Sequence, residues 1–168
     1  MRFEKVSFEQ FKKDFCKFYG MKDSDIRKYY DELELPTRST KDSAGYDFHT
    51  PFPQELWIGK PITIPTGIRF IADDTDKKVF LMIVPRSGLG FKYQIMLANT
   101  VGIIDQSYYL SDNEGHILIK LVNRSSTEEP VFIEQNDRIA QGIIVPFLTT
   151  EDDNATGIRN GGFGSTGK

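Results

Sequence analysis

The chain has a single cysteine, Cys16, so no disulfide can form within it. With only two histidines, His49 and His116, it also lacks the nitrogen and sulfur ligands of a dedicated zinc site, and any metal must be held mainly by oxygen. No apolar run approaches the roughly 20 residues that span a bilayer. Met1-Arg2-Phe3-Glu4-Lys5 has no apolar stretch behind its charges, so a cytoplasmic protein is expected, neither secreted nor membrane-inserted. There is no Lys/Arg block, and 21 basic residues against 24 acidic give a net charge of −3. That balance argues against a basic face for coating nucleic acid, which leaves a small molecule as the expected ligand.

What is present suits one globular domain: 168 residues, 39% of them hydrophobic, with 13 phenylalanines to build a core. Residues 7 to 33 have helical spacing. Ser7-Phe8-Glu9-Gln10 reads as a capping box, with Ser7 and Gln10 satisfying each other's free N–H groups. It starts a helix that places Phe8, Phe11, Phe15 and Phe18 on one face and closes at Gly20. A second helix is expected from near Ser24, carrying Ile26, Tyr29, Tyr30 and Leu33, with Pro36 forbidding continuation past Leu35.

From Pro36 the pattern changes to short apolar runs punctuated by Gly, Pro, Asp and Asn. Strands are expected over Pro61 to Ile71, Lys78 to Val84, His116 to Asn123, Pro130 to Ile133 and Ile139 to Leu148. The expected fold is all-β, a jelly-roll-like sandwich or barrel with a short N-terminal helical extension. The division is 1–35 for the extension, 36–150 for the β domain, and 151–168 for a C-terminal arm holding five of the 14 glycines.

Three segments carry candidate chemistry. Gly162-Phe163-Gly164-Ser165-Thr166-Gly167-Lys168 has the G-x-x-x-x-G-K spacing of a phosphate loop, but no helix follows within the sequence. Its glycines and hydroxyls, with Arg159, could still wrap an anion, and Phe163 could lie on a base; composition alone equally fits a plain Gly/Ser tail. Val84-Pro85-Arg86-Ser87-Gly88-Leu89 ends an apolar strand and presents a guanidinium, a hydroxyl and backbone N–H groups that can grip phosphate, although by itself it is also an ordinary turn. In Asn99 to Tyr108, Asn99 could read a base edge and Asp105 could activate water; taken alone, Asp105 is as readily a turn former and Tyr108 a core residue.

Together, Ala44-Gly45-Tyr46-Asp47, Pro85-Arg86-Ser87-Gly88-Leu89, Gly102-Ile103-Ile104-Asp105 with Tyr108, Asp137-Arg138-Ile139-Ala140-Gln141 and Gly161 to Gly167 occur in the order of five motifs. From Pro36 onward the chain resembles the trimeric deoxyuridine triphosphatases (dUTP diphosphatases). The resemblance implies a jelly-roll subunit, a homotrimer with active sites built between subunits, and magnesium-dependent hydrolysis of dUTP to dUMP and pyrophosphate. That reaction limits uracil incorporation into DNA and supplies dUMP for dTMP synthesis. By the same resemblance, Asp105 is the general base for water attack on the α-phosphorus, and Tyr108 packs against the deoxyribose and excludes a 2′-hydroxyl. Asn99 and the backbone of Gly102, Ile103 and Ile104 read uracil. Arg86, Ser87 and Gly88 hold phosphates with help from Gln141. Asp47 supports the water shell of a Mg2+ held mainly by the substrate phosphates. Arg159, Phe163, Gly164, Ser165 and Thr166 close over the nucleotide.

The sequence departs from that pattern in three places. A polar insertion, Tyr109-Leu110-Ser111-Asp112-Asn113-Glu114-Gly115, follows Tyr108 and is expected to alter affinity or contact a partner. Arg159 stands one residue nearer Phe163 than the family spacing, and Gln94 replaces a usual glycine. A related dCTP deaminase would need a differently placed catalytic glutamate, which the chain lacks. A non-catalytic regulatory protein on the same scaffold would not need Asp105 together with the complete tail.

Overall fold

The computed structural model describes residues 1–73, 76–126 and 128–157. Strand β1 (Arg2–Lys5) is followed by helices α1 (Phe8–Tyr19) and α2 (Asp23–Asp31). Ser7 caps α1 as the sequence predicts, its Oγ accepting the Gln10 N–H at 3.2 Å, and Gly20 ends it in the left-handed region at φ 60°. The reciprocal half of the box does not form. The Gln10 amide turns down the helix to Asp14 Oδ2 (2.7 Å), and the Ser7 N–H is taken by Glu114 instead. Phe11 and Phe15 are fully buried while Phe18 is 37% exposed, so the apolar face is narrower than four phenylalanines. Those two rings join Val6, Ile26 and Phe52 in a small aromatic core, with Phe15 and Phe52 centroids 4.5 Å apart. Phe52 belongs to the β body, so this cluster pins the helices to it.

β2 (Tyr46–His49), β3 (Gln54–Leu56), β4 (Ile62–Pro65), β5 (Ile68–Ile71) and β6 (Val79–Pro85) come next. Helix α3 (Ser87–Tyr93), β7 (Ile95–Leu97), β8 (Gly102–Asp105), a 3-10 turn (Tyr108–Leu110), β9 (Leu118–Asn123), β10 (Val131–Ile133) and β11 (Arg138–Pro146) complete the described elements. The expected strand Pro61 to Ile71 is two strands, because Thr66-Gly67 turns the chain with Gly67 at φ 73°. The expected turn after Pro85 is a short helix, and β1, which no apolar run announces, exists by pairing with β5.

The largest sheet has the order β2-β11-β6-β8, and a second has β4-β9-β7; β1-β5 and β10-β3 form two-stranded ribbons. Every pairing between these strands is antiparallel, which gives the jelly-roll-like β fold. Along β6, Val79, Leu81 and Ile83 point into the core and Phe80 and Met82 are only partly covered, the period-2 alternation of a sheet with one packed face. The main core joins these residues to Phe48, Ile64, Phe70, Ile117 and Ile119 across the layers. Each such side chain contributes about 1.5–3 kcal/mol on full burial. Among the described residues no helix is long and apolar enough to cross a membrane.

Candidate active site

Asp47 on β2 is 2% exposed and gathers four polar side chains. Its Oδ1 accepts from Arg86 Nε and Gln141 Nε2, each at 3.1 Å. Its Oδ2 accepts from Ser39 Oγ at 2.8 Å and Arg138 Nη1 at 3.4 Å. The register explains the meeting, since β11 lies between β2 and β6 and places Gln141 opposite both Asp47 and Val84, two residues before Arg86. A Cβ on Gly45 would lie 3.1 Å from the Gln141 side chain, so the glycine beside Asp47 gives that amide its room. Burial by itself would push the Asp47 carboxyl up. The hydrogen bonds from Ser39 and Gln141 and the positive charge of Arg86 outweigh it and hold the group below the usual carboxylate range. Ser87 and Gly88 are exposed in the first turn of α3, where backbone N–H groups lack helical acceptors. Of the sequence candidates, Arg86 and Gln141 thus both bond Asp47 directly. Ser39 was not legible as a partner, and Arg138 carried only its place in the Asp137-Arg138 pair as a signal.

Asn99, Gly102, Ile103, Ile104 and Tyr108 line a separate cavity of about 210 Å3. This is below the roughly 300–1,000 Å3 of drug-sized sites and leaves room for a group of about one ring. Ile83, Leu97 and Lys120 also border it, without a sequence signal beyond strand pattern. A Cβ on Gly102 would come within 3.1 Å of the Ile83 Cβ, so that backbone is closely seated against β6. Tyr108 is 4% exposed; its hydroxyl donates to the His116 carbonyl at 3.2 Å and accepts from Asn113 Nδ2 at 2.8 Å. Burial raises its phenol, which keeps the donor proton in place.

Asp105 ends β8 opposite Phe80, beside a shallow depression formed with Gln106, Ser107, Tyr109 and Phe147. Gln106 ties this end down, donating to the Ala72 carbonyl at 3.1 Å and accepting the Val79 N–H at 3.2 Å. Arg86 lies six residues beyond Phe80 along β6 and its immediate C-terminal extension. At about 3.3 Å per residue that places the two backbones about 20 Å apart. One chain therefore does not bring Asp105 and the Arg86 cluster together. Arg159, Phe163, Gly164, Ser165 and Thr166 lie outside the described residues.

No group of three or more His, Cys, Asp or Glu side chains among the described residues is arranged to hold a metal. Asp47 already accepts four hydrogen bonds, two from guanidinium groups, which leaves little capacity for a cation at its oxygens. This donor set would suit a magnesium carried mainly on ligand oxygens and water.

A family model described as dUTPase matches residues 31–167. Deoxyuridine 5'-triphosphate nucleotidohydrolase from Glaesserella parasuis is 41% identical over 145 residues, covering 82% of this chain and 89% of the relative. The protein of the same name from Lactococcus lactis is 38% identical over 138 residues, covering 80% and 89%. Among solved structures, dUTPase from Streptococcus mutans superimposes with a TM-score of 0.65 at 29% identity, covering 90% of this chain and 99% of that one. A mutant dUTPase from phage phi11 of S. aureus, described with a structural Mg(II) ion, shares the fold with a TM-score of 0.59 at 21% identity, covering 74% and 91%.

Proposed function

The chain belongs to the dUTPase family, and from that premise we propose that it hydrolyses dUTP to dUMP and pyrophosphate in sites assembled from more than one copy of itself, in a homotrimer. The observation that carries the shared site is the β6 register, which separates Asp105 from Arg86 by about 20 Å within a chain. Asp105 of one copy and the Arg86 cluster of another would meet on one triphosphate.

In this reading the cavity between β8, β9 and Tyr108 takes the uracil and its sugar. The Asn99 amide and the backbone of Gly102, Ile103 and Ile104 offer donors and acceptors to the base edge, and the Tyr108 ring leaves no space for a 2′-hydroxyl. Asp105 is the base that orients and deprotonates water for attack on the α-phosphorus. Arg86, Ser87, Gly88 and Gln141 bind the phosphates and offset the charge that develops on them. Asp47 holds Arg86 and Gln141 in place for that task. Its expected support of a metal's water shell would require one of its four donors to give way to a water. Magnesium, bound through phosphate oxygens, would supply charge neutralisation. The residues Arg159, Phe163, Gly164, Ser165 and Thr166 are assigned to closing the site over the nucleotide.

The test is pyrophosphate release from dUTP, dCTP and UTP, with magnesium and with a chelator. Release from dUTP alone that ends on chelation is expected. Comparable turnover of dCTP or UTP, or full activity in chelator, would contradict the reading.

A further inference from the structure

The polar insertion after Tyr108 is not an open surface loop. Glu114 accepts both the Ser7 N–H (2.8 Å) and the Ser7 hydroxyl (2.5 Å), which makes it the second half of the α1 cap from 107 positions away. Gly115 sits at φ 73°, where a Cβ would fall 2.4 Å from the Tyr109 Cα, so the turn folds tightly back on the residue after Tyr108. His116, fully buried, closes the connection. Its Nε2 accepts the Gly67 N–H at 2.8 Å, which assigns the proton to Nδ1, and that N–H donates to Asp14 Oδ2 on α1 at 2.6 Å. The His116 carbonyl in turn accepts from the Tyr108 hydroxyl, and Asn113 Nδ2 bonds both that hydroxyl and, at 3.3 Å, the same carbonyl.

His116 thus links α1 to the tip of the Tyr108 ring, its imidazole held by Asp14 and its backbone carbonyl holding the Tyr108 hydroxyl. Burying a carboxylate and an imidazole costs free energy that apolar packing would avoid, and what a satisfied polar network adds is fixed geometry. Tyr108 is the wall where fixed geometry has a consequence. Rejecting a substrate for one extra hydroxyl by contact alone requires a wall that does not recede, and a displacement of about 1 Å is enough to change the outcome.

We propose that α1 and the insertion form a brace that positions the Tyr108 ring, making Asp14, Asn113 and His116 positioning residues for the selection of deoxyribose over ribose. The proposal rests on the assignment of Tyr108 to the sugar. The brace acts at the ring's hydroxyl end and leaves Asp105 and the Arg86 cluster untouched. Loosening it changes which nucleotide is accepted more than how fast a bound one reacts.

The experiment compares kcat and KM for dUTP and UTP in the full-length assembled enzyme carrying Asp14→Ala, Asp14→Asn, Asn113→Ala or Tyr108→Ala. Tyr108→Ala should lose most of the preference for dUTP. Asp14→Ala and Asn113→Ala should each lower the dUTP:UTP ratio of kcat/KM by about tenfold, through KM, with kcat on dUTP near wild type. Asp14→Asn keeps an oxygen for the His116 Nδ1–H and should recover most of the ratio. Should Asp14→Ala not fold, Asn113→Ala, in a partly exposed turn outside the strands and helices, carries the test. Wild-type ratios in Asn113→Ala and in any folded Asp14→Ala, with the ratio lost in Tyr108→Ala, would overturn the brace alone. An unchanged ratio in Tyr108→Ala would remove Tyr108 from sugar selection, and the brace proposal with it.

Discussion

Asp47 and Arg86 form an ion pair at 3.1 Å, with the carboxylate side chain 3% exposed and the guanidinium 26%. The contact joins β2 to the residue that follows β6 and fixes the guanidinium proposed to bind phosphate, through a residue that need not touch phosphate itself. Arg138 reaches the other oxygen of the same carboxylate at 3.4 Å.

Replacing Asp47 by Asn keeps the shape and removes the charge that orients Arg86. We expect kcat/KM for dUTP to fall by about 10- to 100-fold, the scale of one charge-assisted hydrogen bond of 1.5–3 kcal/mol. The loss should appear mostly in KM, read by steady-state kinetics. An unchanged KM would mean that Arg86 is positioned by other contacts.

Asp105→Asn retains the side-chain volume and removes the proton acceptor. Turnover should fall by at least the 10²–10⁴-fold typical of general base catalysis, with calorimetric binding of a non-hydrolysable dUTP analogue preserved. Near-normal turnover in this variant would take Asp105 out of the chemistry.

Hydrogen bonds and positive partners hold the carboxyls of Asp14, Asp47 and Glu114 below their ordinary range, against the opposing pull of burial. A depressed folded-state value adds stability that is present above the unfolded carboxylate range of about 4 and is lost as pH falls through the folded values. Burial holds the His49 imidazole below the ordinary histidine value, so urea midpoints should fall slightly once pH drops below about 6.5, and the carboxylate-dependent decline should follow below about pH 4. Asp47→Asn should flatten part of that decline, and an identical acid limb in the variant would show that this site contributes none of it.

Phe15 is fully buried and its ring faces Phe11, Tyr19, Tyr29 and Phe52. Phe15→Ala should cost about 3–5 kcal/mol by denaturant unfolding, the range for a buried phenylalanine. A cost below about 1 kcal/mol, the scale of a surface change, would mean that the helices are not packed on the body as described.

Local chemistry is what the sequence made readable. Ser7 and Gly20 bound α1 because capping and the left-handed turn are decided within a few residues, and β6 and β11 show as apolar runs because one face of each is covered. The Asp47, Arg86 and Gln141 contact could be expected only from a resemblance between motifs, since the residues lie up to 94 positions apart. β1 was hidden because Arg2, Glu4 and Lys5 mask its alternation and its partner is β5. α3 was hidden because Pro85, Gly88 and Gly90 read as a turn. The link between the insertion and α1 was not legible because the partners of Glu114 and His116, Ser7 and Asp14, lie about a hundred positions away.

The separation of Asp105 from Arg86 is tested most directly by complementation. Asp105→Asn and Arg86→Ala, each inactive as a pure assembly, are unfolded, mixed in equal amounts and refolded together, with mixed oligomers verified by native mass spectrometry. If each site draws its base from one copy and its arginine from another, random symmetric assembly restores about a quarter of the sites, and the mixture regains about a quarter of wild-type turnover. Activity that stays at the level of the separately refolded variants, with mixed oligomers present, would mean that base and arginine act within one chain and would contradict the shared site.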